Sequence, residues 1–306
     1  MASFAVREHA PRFLWLDITR RCQQTCPGHC YSSSGPDGSH GTMTTGDWLR
    51  VIREAADAGI EQVTFIGGEP TLHPDLPQFV DEALRLGLTA GVFTNLVHLT
   101  PALWGLFRRP GVTLATSYYS PDPAEHRRAT GRPTHARVRG NIVTALGYGI
   151  PLRACIVHVL PGQDVDGALA DLRGLGVTDV SIEEVRPFGR GQGEHAARDA
   201  GALCGHCGRG RAAVGPDGTV TPCIMAHWLD AGNVLREPLG PLLDGPAMHA
   251  ALATIPAPPA GRGCPPNDGD DCGKNAPACA PAFSSPPPKP PQPKPKGMPL
   301  AAGGVR

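Results

Sequence analysis

The feature that most constrains the fold is a regular alternation of short apolar runs with helical patterns. The runs have the length and composition of strands, and they lie at residues 13–18, 62–66, 89–94, 112–117, 152–159 and 178–183. Strands that alternate with helices indicate βαβ units and a parallel sheet. Such a sheet can curl into a partial barrel whose ligand site lies at the carboxyl ends of the strands.

Three cysteines stand in one loop directly after the first predicted strand. Cys22, Cys26 and Cys30 are separated from one another by three residues each. An iron–sulfur cubane with three irons held by protein and one left open suits this odd number of thiols. Structural zinc usually takes four ligands, and disulfides take cysteines in pairs. The pattern therefore favours a cluster and leaves zinc or a disulfide as alternatives.

A second motif, Gly67-Gly68-Glu69-Pro70, follows the second predicted strand. Together with the cysteine loop it resembles the radical S-adenosylmethionine (SAM) superfamily. The residues around Trp15 and Tyr31 resemble the branch of that superfamily with a cysteine-rich C-terminal SPASM or twitch extension. The family loop is usually Cys-x3-Cys-x2-Cys, so this chain has one extra residue before Cys30. The resemblance implies an α/β fold, a (β/α)6 partial TIM barrel with a small cysteine-rich auxiliary-cluster domain at the C-terminus.

The resemblance also implies the chemistry of the two motifs. Cys22, Cys26 and Cys30 would hold a 4Fe–4S cluster whose open iron binds the methionine part of SAM. One electron then cleaves SAM to methionine and a 5′-deoxyadenosyl radical, which abstracts hydrogen from the substrate. Gly67 and Gly68 would let the backbone approach the ligand, and Glu69 would accept a hydrogen bond from the SAM ammonium group. Further candidate SAM contacts are Tyr31, Asn95, Ser117 and Arg186.

The C-terminal region carries most of the remaining cysteines. Cys207, Gly218 and Cys223 match the beginning of a SPASM extension, in which Gly-x4-Cys crosses a β-hairpin. Six cysteines are candidate ligands of one or two auxiliary iron–sulfur clusters: Cys204, Cys207, Cys223, Cys264, Cys272 and Cys279. Zinc stays open as an alternative for Cys204-x2-Cys207. Cys155 falls in the middle of the fifth strand and is predicted to be a buried structural thiol.

The predicted organisation has four parts. Residues 1–12 form a short lead, 13–190 the radical SAM barrel, 191–282 the auxiliary iron–sulfur domain, and 283–306 a proline-rich disordered tail. The net charge is zero, which gives no indication of nucleic acid or an anionic membrane as a partner. Ten cysteines without a signal peptide favour metal ligation in a reducing compartment, so we expect a cytoplasmic protein.

The expected function is that of a radical SAM enzyme acting on a ribosomally synthesised peptide, by cross-linking, epimerisation or a related maturation step. An external one-electron donor of the flavodoxin or ferredoxin type is an expected partner. Leader recognition would need a separate peptide-binding protein, because the short lead holds no recognition domain. One alternative is a radical SAM dehydrogenase or epimerase on an aminoglycoside or other sugar, with Glu183 and Glu184 facing a cationic substrate. Another is a catalytically silent metal-binding protein.

Overall fold

The computed structural model describes residues 12–192, 198–203, 205, 207, 208 and 210–256. Strands and helices alternate along the first part of this chain, as the sequence predicts. The strands are β1 (Phe13–Thr19), β2 (Gln62–Gly67), β3 (Thr89–Phe93), β4 (Val112–Tyr118), β5 (Leu152–His158) and β6 (Asp179–Glu184). The helices are α1 (Thr45–Asp57), α2 (Leu76–Arg85), α3 (Pro101–Phe107), α4 (Pro123–Thr130), α5 (His135–Gly147) and α6 (Val165–Gly174).

The first six strands pair in parallel and in sequence order, so each βαβ unit adds one strand to the sheet. The fold class predicted from the sequence is confirmed. Because all six strands run the same way, their carboxyl ends meet at one edge of the sheet. The cysteine loop follows β1 at this edge, and the Gly-Gly-Glu-Pro motif follows β2.

The sheet also takes up part of the C-terminal region, which the sequence did not predict. Strand β7 (Arg211–Val214) pairs in parallel with β1, and β8 (Val220–Thr221) pairs with β7 in the antiparallel sense. A hairpin turn between them is confirmed at Gly218, whose φ of +84° is a conformation that glycine adopts readily. The C-terminal part is therefore joined to the barrel through the backbone hydrogen bonds of one sheet. Helices α7 (Leu239–Leu243) and α8 (Pro246–Ala253) follow it.

Helix α1 shows how the local pattern specifies an element. The hydroxyl of Thr44 accepts a hydrogen bond from the backbone N–H of Asp47, and the Asp47 carboxylate accepts one from the N–H of Thr44. This capping box fixes the start of the helix. Its buried side chains recur with helical spacing and pack against the sheet; they are Trp48, Val51, Ile52 and Ala55.

Two apolar clusters lie on opposite faces of β1. Leu14, Leu16 and Ile18 belong to the large core, which also contains the buried faces of the helices. Trp15 belongs to a smaller core, which also contains Cys207 and Cys223 from the C-terminal region. Neighbouring side chains of a strand point to opposite faces. Strand β1 therefore carries the barrel core on one face and the C-terminal cysteines on the other.

Candidate active site

The three cysteines of the loop after β1 line one cavity of about 160 Å³. All three thiols are free in the structure, as ligation of a cluster requires. Burial raises the pKa of the Cys22 and Cys26 thiols to about 12, and the charges of neighbouring cysteines add to this effect. Without a metal, both side chains are therefore neutral thiols at pH 7. Binding of iron would release their protons.

Two N–H groups point at sulfur atoms of the loop. The Asn95 side-chain nitrogen donates to Cys22 Sγ over 3.6 Å, and the backbone nitrogen of Ser34 donates to Cys30 Sγ over 3.3 Å. Hydrogen bonds to ligating sulfur orient the ligand and affect the potential of an iron–sulfur cluster. The sequence predicted Asn95 as a SAM contact. In the structure its side chain lines the cavity and also contacts Cys22, which the sequence predicts as a cluster ligand.

Gly67 and Gly68 pack the second motif directly against the cysteine loop. A Cβ atom on Gly67 would lie 2.3 Å from the carbonyl oxygen of Thr19, and one on Gly68 would lie 2.4 Å from that of Arg21. The backbone N–H of Gly68 donates to the same Thr19 oxygen over 2.7 Å. Both glycines line the cavity as well. Glycine is therefore required at both positions because the loop after β2 lies directly against the backbone of the loop after β1.

Glu69 is buried and is not one of the residues that line the cavity. Its side chain is 0% exposed. One carboxylate oxygen accepts hydrogen bonds from the hydroxyls of Thr71 and Thr94, each over 2.7 Å, and from the Thr71 backbone N–H over 3.1 Å. The other oxygen accepts one from the Asn95 backbone N–H over 2.7 Å. The role of Glu69 as acceptor for the SAM ammonium group stays a prediction, while the described contacts make the side chain an anchor between the segments that follow β2 and β3.

The other predicted SAM contacts converge on the same cavity. Tyr31, Ser117 and Arg186 line it, from the cysteine loop, β4 and the segment after β6 respectively. Their individual roles toward SAM stay predictions. Cys155 is buried, as predicted, and it also reaches the cavity wall.

Sequence reasoning missed a polar wall of the cavity that contains His29, Tyr119 and His126. His29 Nε2 lies 2.9 Å from the hydroxyl of Tyr119. His126 is 1% exposed; its Nε2 lies 2.9 Å from Thr134 Oγ1, and its Nδ1 has no hydrogen-bond partner among the described residues. Burial lowers the pKa of both histidines to about 4, so both rings are neutral at pH 7. The position of His29 inside the cysteine loop was the one available signal.

The C-terminal candidate ligands are only partly within the described residues. Cys207 and Cys223 are buried in the smaller core beside Trp15, and Tyr31 packs against the same core. The Trp15 Nε1–H and the Tyr31 hydroxyl are buried donors without a hydrogen-bond partner in the described part of the chain. Donors of this kind fit a cluster whose sulfur atoms accept hydrogen bonds. Cys204, Cys264, Cys272 and Cys279 lie outside the described residues.

The residues of the cysteine loop fit a cubane cluster. Among the residues that the structure describes, no three His, Cys, Asp or Glu side chains converge on a point that could hold a single metal ion. A cubane gives each thiolate its own iron, so its ligands surround a cavity and need not meet at one point. The shared cavity, the N–H donors to sulfur and the three thiols agree with this requirement.

Two family models match the chain. The model described as the radical SAM superfamily matches residues 16–173, just over half of the sequence. The chain belongs to the radical SAM superfamily. A SPASM model, described as an iron–sulfur cluster-binding domain, matches residues 204–265. The predicted family is confirmed, and with it the predicted cofactor classes, SAM and iron–sulfur clusters. The number of auxiliary clusters and their ligands stay predictions.

The relatives that the chain matches include a peptide cyclase and two solved structures with a bound peptide. A PqqA peptide cyclase from Streptomyces rochei is 29% identical over 190 residues, which are 61% of this chain and 52% of the relative. The chain thus spans about half the length of the curated relatives it matches. Streptococcus suis SuiB bound to its precursor peptide SuiA aligns with a TM-score of 0.66 and 16% identity, over 79% of this chain and 67% of SuiB. anSMEcpe with bound AdoMet and a peptide aligns with a TM-score of 0.60 and 14% identity, over 78% of this chain and 82% of that protein. At these identities the two structures support the fold alone.

A membrane-spanning helix needs a certain length and hydropathy. None of the helices that the described residues form is both long enough and apolar enough to cross a bilayer.

Proposed function

We propose that the protein is a radical SAM enzyme that modifies a ribosomally synthesised peptide. The observation that carries this proposal is the shared cavity, in which the three loop cysteines and the Gly-Gly pair of the second motif form one wall. When bound, the cluster and SAM supply a one-electron cleavage that gives a hydrogen-abstracting 5′-deoxyadenosyl radical. The protein's own task is to hold the two groups, orient the substrate and exclude water.

The cavity residues divide this task among themselves. Cys22, Cys26 and Cys30 would hold three irons of the cluster, and the amide of Asn95 would orient Cys22. An apolar set excludes water from the reacting centre; it consists of Ile66, Phe93, Val138, Val157 and Met225. Arg186 also lines the cavity, and its guanidinium is suited to an anionic group of SAM or substrate. A radical that is kept away from water and solvent-exposed side chains reacts only with the positioned substrate.

A peptide substrate is supported by the relatives. The relative from Streptomyces rochei is a peptide cyclase, and it aligns with 190 residues of this chain. Cross-linking, epimerisation and related steps all begin with the same hydrogen abstraction. An external one-electron donor and a separate leader-binding protein belong to the proposal as partners, and the enzyme would work in the cytoplasm.

A cationic sugar is the second candidate substrate. Glu183 and Glu184 both line the cavity, and Glu184 lies 2.9 Å from the ring nitrogen of His158. Two carboxylates at the mouth of the barrel would attract an amine-bearing ligand at low ionic strength. Aminoglycosides carry several such amines, so they serve as the competing probe.

Anaerobic reconstitution with iron and sulfide, followed by SAM and dithionite, tests the proposal. We expect 5′-deoxyadenosine from the native chain and none from a variant in which Cys22, Cys26 and Cys30 are all alanine. A PqqA peptide and kanamycin are then compared for stimulation of SAM cleavage and for a change in mass. Product from kanamycin alone would favour the sugar. Absence of 5′-deoxyadenosine from a fully loaded native chain would instead support the silent metal-binding protein.

A further inference from the structure

The cysteine loop is held from one side by the segment that follows β6. Arg190 makes three hydrogen bonds to carbonyl oxygens of this loop. Its backbone N–H donates to Cys30 over 2.9 Å, its Nε to Cys26 over 2.6 Å, and its Nη2 to Ser34 over 2.7 Å. The acceptors of Cys26 and Cys30 lie on the two sides of the extra residue of the Cys-x3-Cys-x3-Cys loop, and that of Ser34 lies just beyond it. One side chain and its own backbone therefore fix both ends of the unusual spacing.

The residue before Arg190 shows how closely the two segments approach. Gly189 has a φ of +54°, and a Cβ atom on it would lie 2.3 Å from the carbonyl oxygen of Tyr31 and 2.4 Å from that of Cys30. Only glycine combines this left-handed conformation with such a close contact to another backbone. The Gly189-Arg190 pair is thus built for contact with the cluster loop.

The Arg190 guanidinium also places a positive charge beside the cluster ligands. Its Nε donates to the carbonyl oxygen of Cys26, in the same loop that carries the other two thiols of the cavity. A bound 4Fe–4S cluster becomes more negative on reduction, so a nearby cation stabilises the reduced form. Charge near a cluster is one of the factors that set its reduction potential.

We propose that Arg190 is a positioning residue for the SAM-binding cluster, which it serves in two ways. Its hydrogen bonds hold the carbonyl groups of Cys26, Cys30 and Ser34 in the ligating conformation of the loop. Its charge raises the reduction potential of the cluster. This role depends on the cluster site and not on the substrate, so iron and potential measurements test it even if no peptide is modified.

Two substitutions of Arg190 separate the effect of its hydrogen bonds from the effect of its charge. The planar guanidinium can donate to two acceptors in fixed directions while it remains charged, whereas the ammonium group of lysine is a compact charge on a flexible stem. Arg190→Lys keeps the charge and loses the fixed pair of side-chain hydrogen bonds. Arg190→Met loses both. Arg173→Met, at an exposed position of α6, is the matched control for loss of a surface arginine.

The experiment uses the full-length, reconstituted chain. Iron release to a chelator is followed in time, and the midpoint potential of the SAM-binding cluster is measured by EPR-monitored titration. The signal of this cluster is recognised by its change when SAM is added. We expect iron release about tenfold faster in Arg190→Met, as for other outer-sphere partners of metal ligands, and a more negative midpoint potential. Arg190→Lys should release iron faster than the native chain but keep its potential, and Arg173→Met should match the native chain in both.

Two results would overturn the proposal. Native rates of iron release in both Arg190 variants would show that the hydrogen bonds do not hold the loop. An unchanged midpoint potential in Arg190→Met would show that the charge does not act on the cluster. If Arg190→Met does not take up iron, the lysine variant still decides the first point, because native release from it would contradict the role of the side-chain hydrogen bonds.

Discussion

Glu69→Gln distinguishes an anchoring role of the second motif from a direct contact to SAM. The carboxylate accepts four hydrogen bonds, three at one oxygen and one at the other. Glutamine has the same shape but only one acceptor oxygen. If that oxygen keeps its three donors, the new NH₂ group faces the backbone N–H of Asn95, and neither group has an acceptor.

The expected cost follows from these contacts. A buried donor without an acceptor costs about 1–3 kcal/mol, and the remaining bonds weaken because the acceptor is no longer charged. Removal of a buried charge offsets part of this loss, since burial raises the pKa of Glu69 above its ordinary value of 4.5. We therefore expect a net loss of about 2 kcal/mol in the free energy of unfolding. Thr94→Val, which removes one donor to the same carboxylate, should cost about 1 kcal/mol.

Urea denaturation of the metal-free chain measures both variants. With a slope of about 2 kcal/mol per molar urea, Glu69→Gln should lower the midpoint by about 1 M. Circular dichroism and tryptophan fluorescence should give coincident transitions, since a two-state analysis requires them to agree. SAM affinity of the reconstituted protein is measured in parallel.

The refuting result is a variant that unfolds like the native chain and yet no longer binds SAM. Glu69 would then be a ligand contact, as the sequence predicts, and the buried hydrogen bonds would carry little energy. The pH dependence gives a second check. Because the folded-state pKa of Glu69 is raised, the native chain loses stability as the pH rises from about 4.5 through that pKa, and Glu69→Gln should lack this contribution.

Three further predictions follow from the sites. Cys26→Ala should lose the SAM-binding cluster and keep auxiliary iron; iron and sulfide contents equal to those of the native chain would contradict it. Cys223→Ala should still cleave SAM without substrate but form no product, and normal product would argue against an essential auxiliary cluster. Burial raises the pKa of Asp17 to about 6 in spite of its ion pair with Arg20, so this group should lower the stability of the native chain by about 2 kcal/mol between pH 4 and pH 6. The difference in urea midpoint between the native chain and Asp17→Asn should therefore change between the two pH values, and a difference that stays the same would disprove the assignment.

The local elements were predictable because their signals lie close together in sequence. The capping box at Thr44 and Asp47 and the helical spacing of Trp48, Val51 and Ile52 act within a few residues. The hairpin at Gly218 depends on the φ preference of one residue. Local backbone preferences and hydrophobic periodicity determine such features before any tertiary contact forms.

The sequence by itself determined the alternation of strands and helices, the family, and the cysteines that share a cavity. Parallel βαβ units bring the carboxyl ends of all strands to one edge, so Cys22, Gly67, Asn95 and Ser117 had to meet there. Only the tertiary structure decided what surrounds them. Arg190 donates a hydrogen bond to the carbonyl oxygen of Cys26, 164 residues earlier in the chain. Strand β7 pairs with β1 although almost 200 residues separate them in the sequence. No local pattern encodes such contacts, because they depend on how separate segments pack.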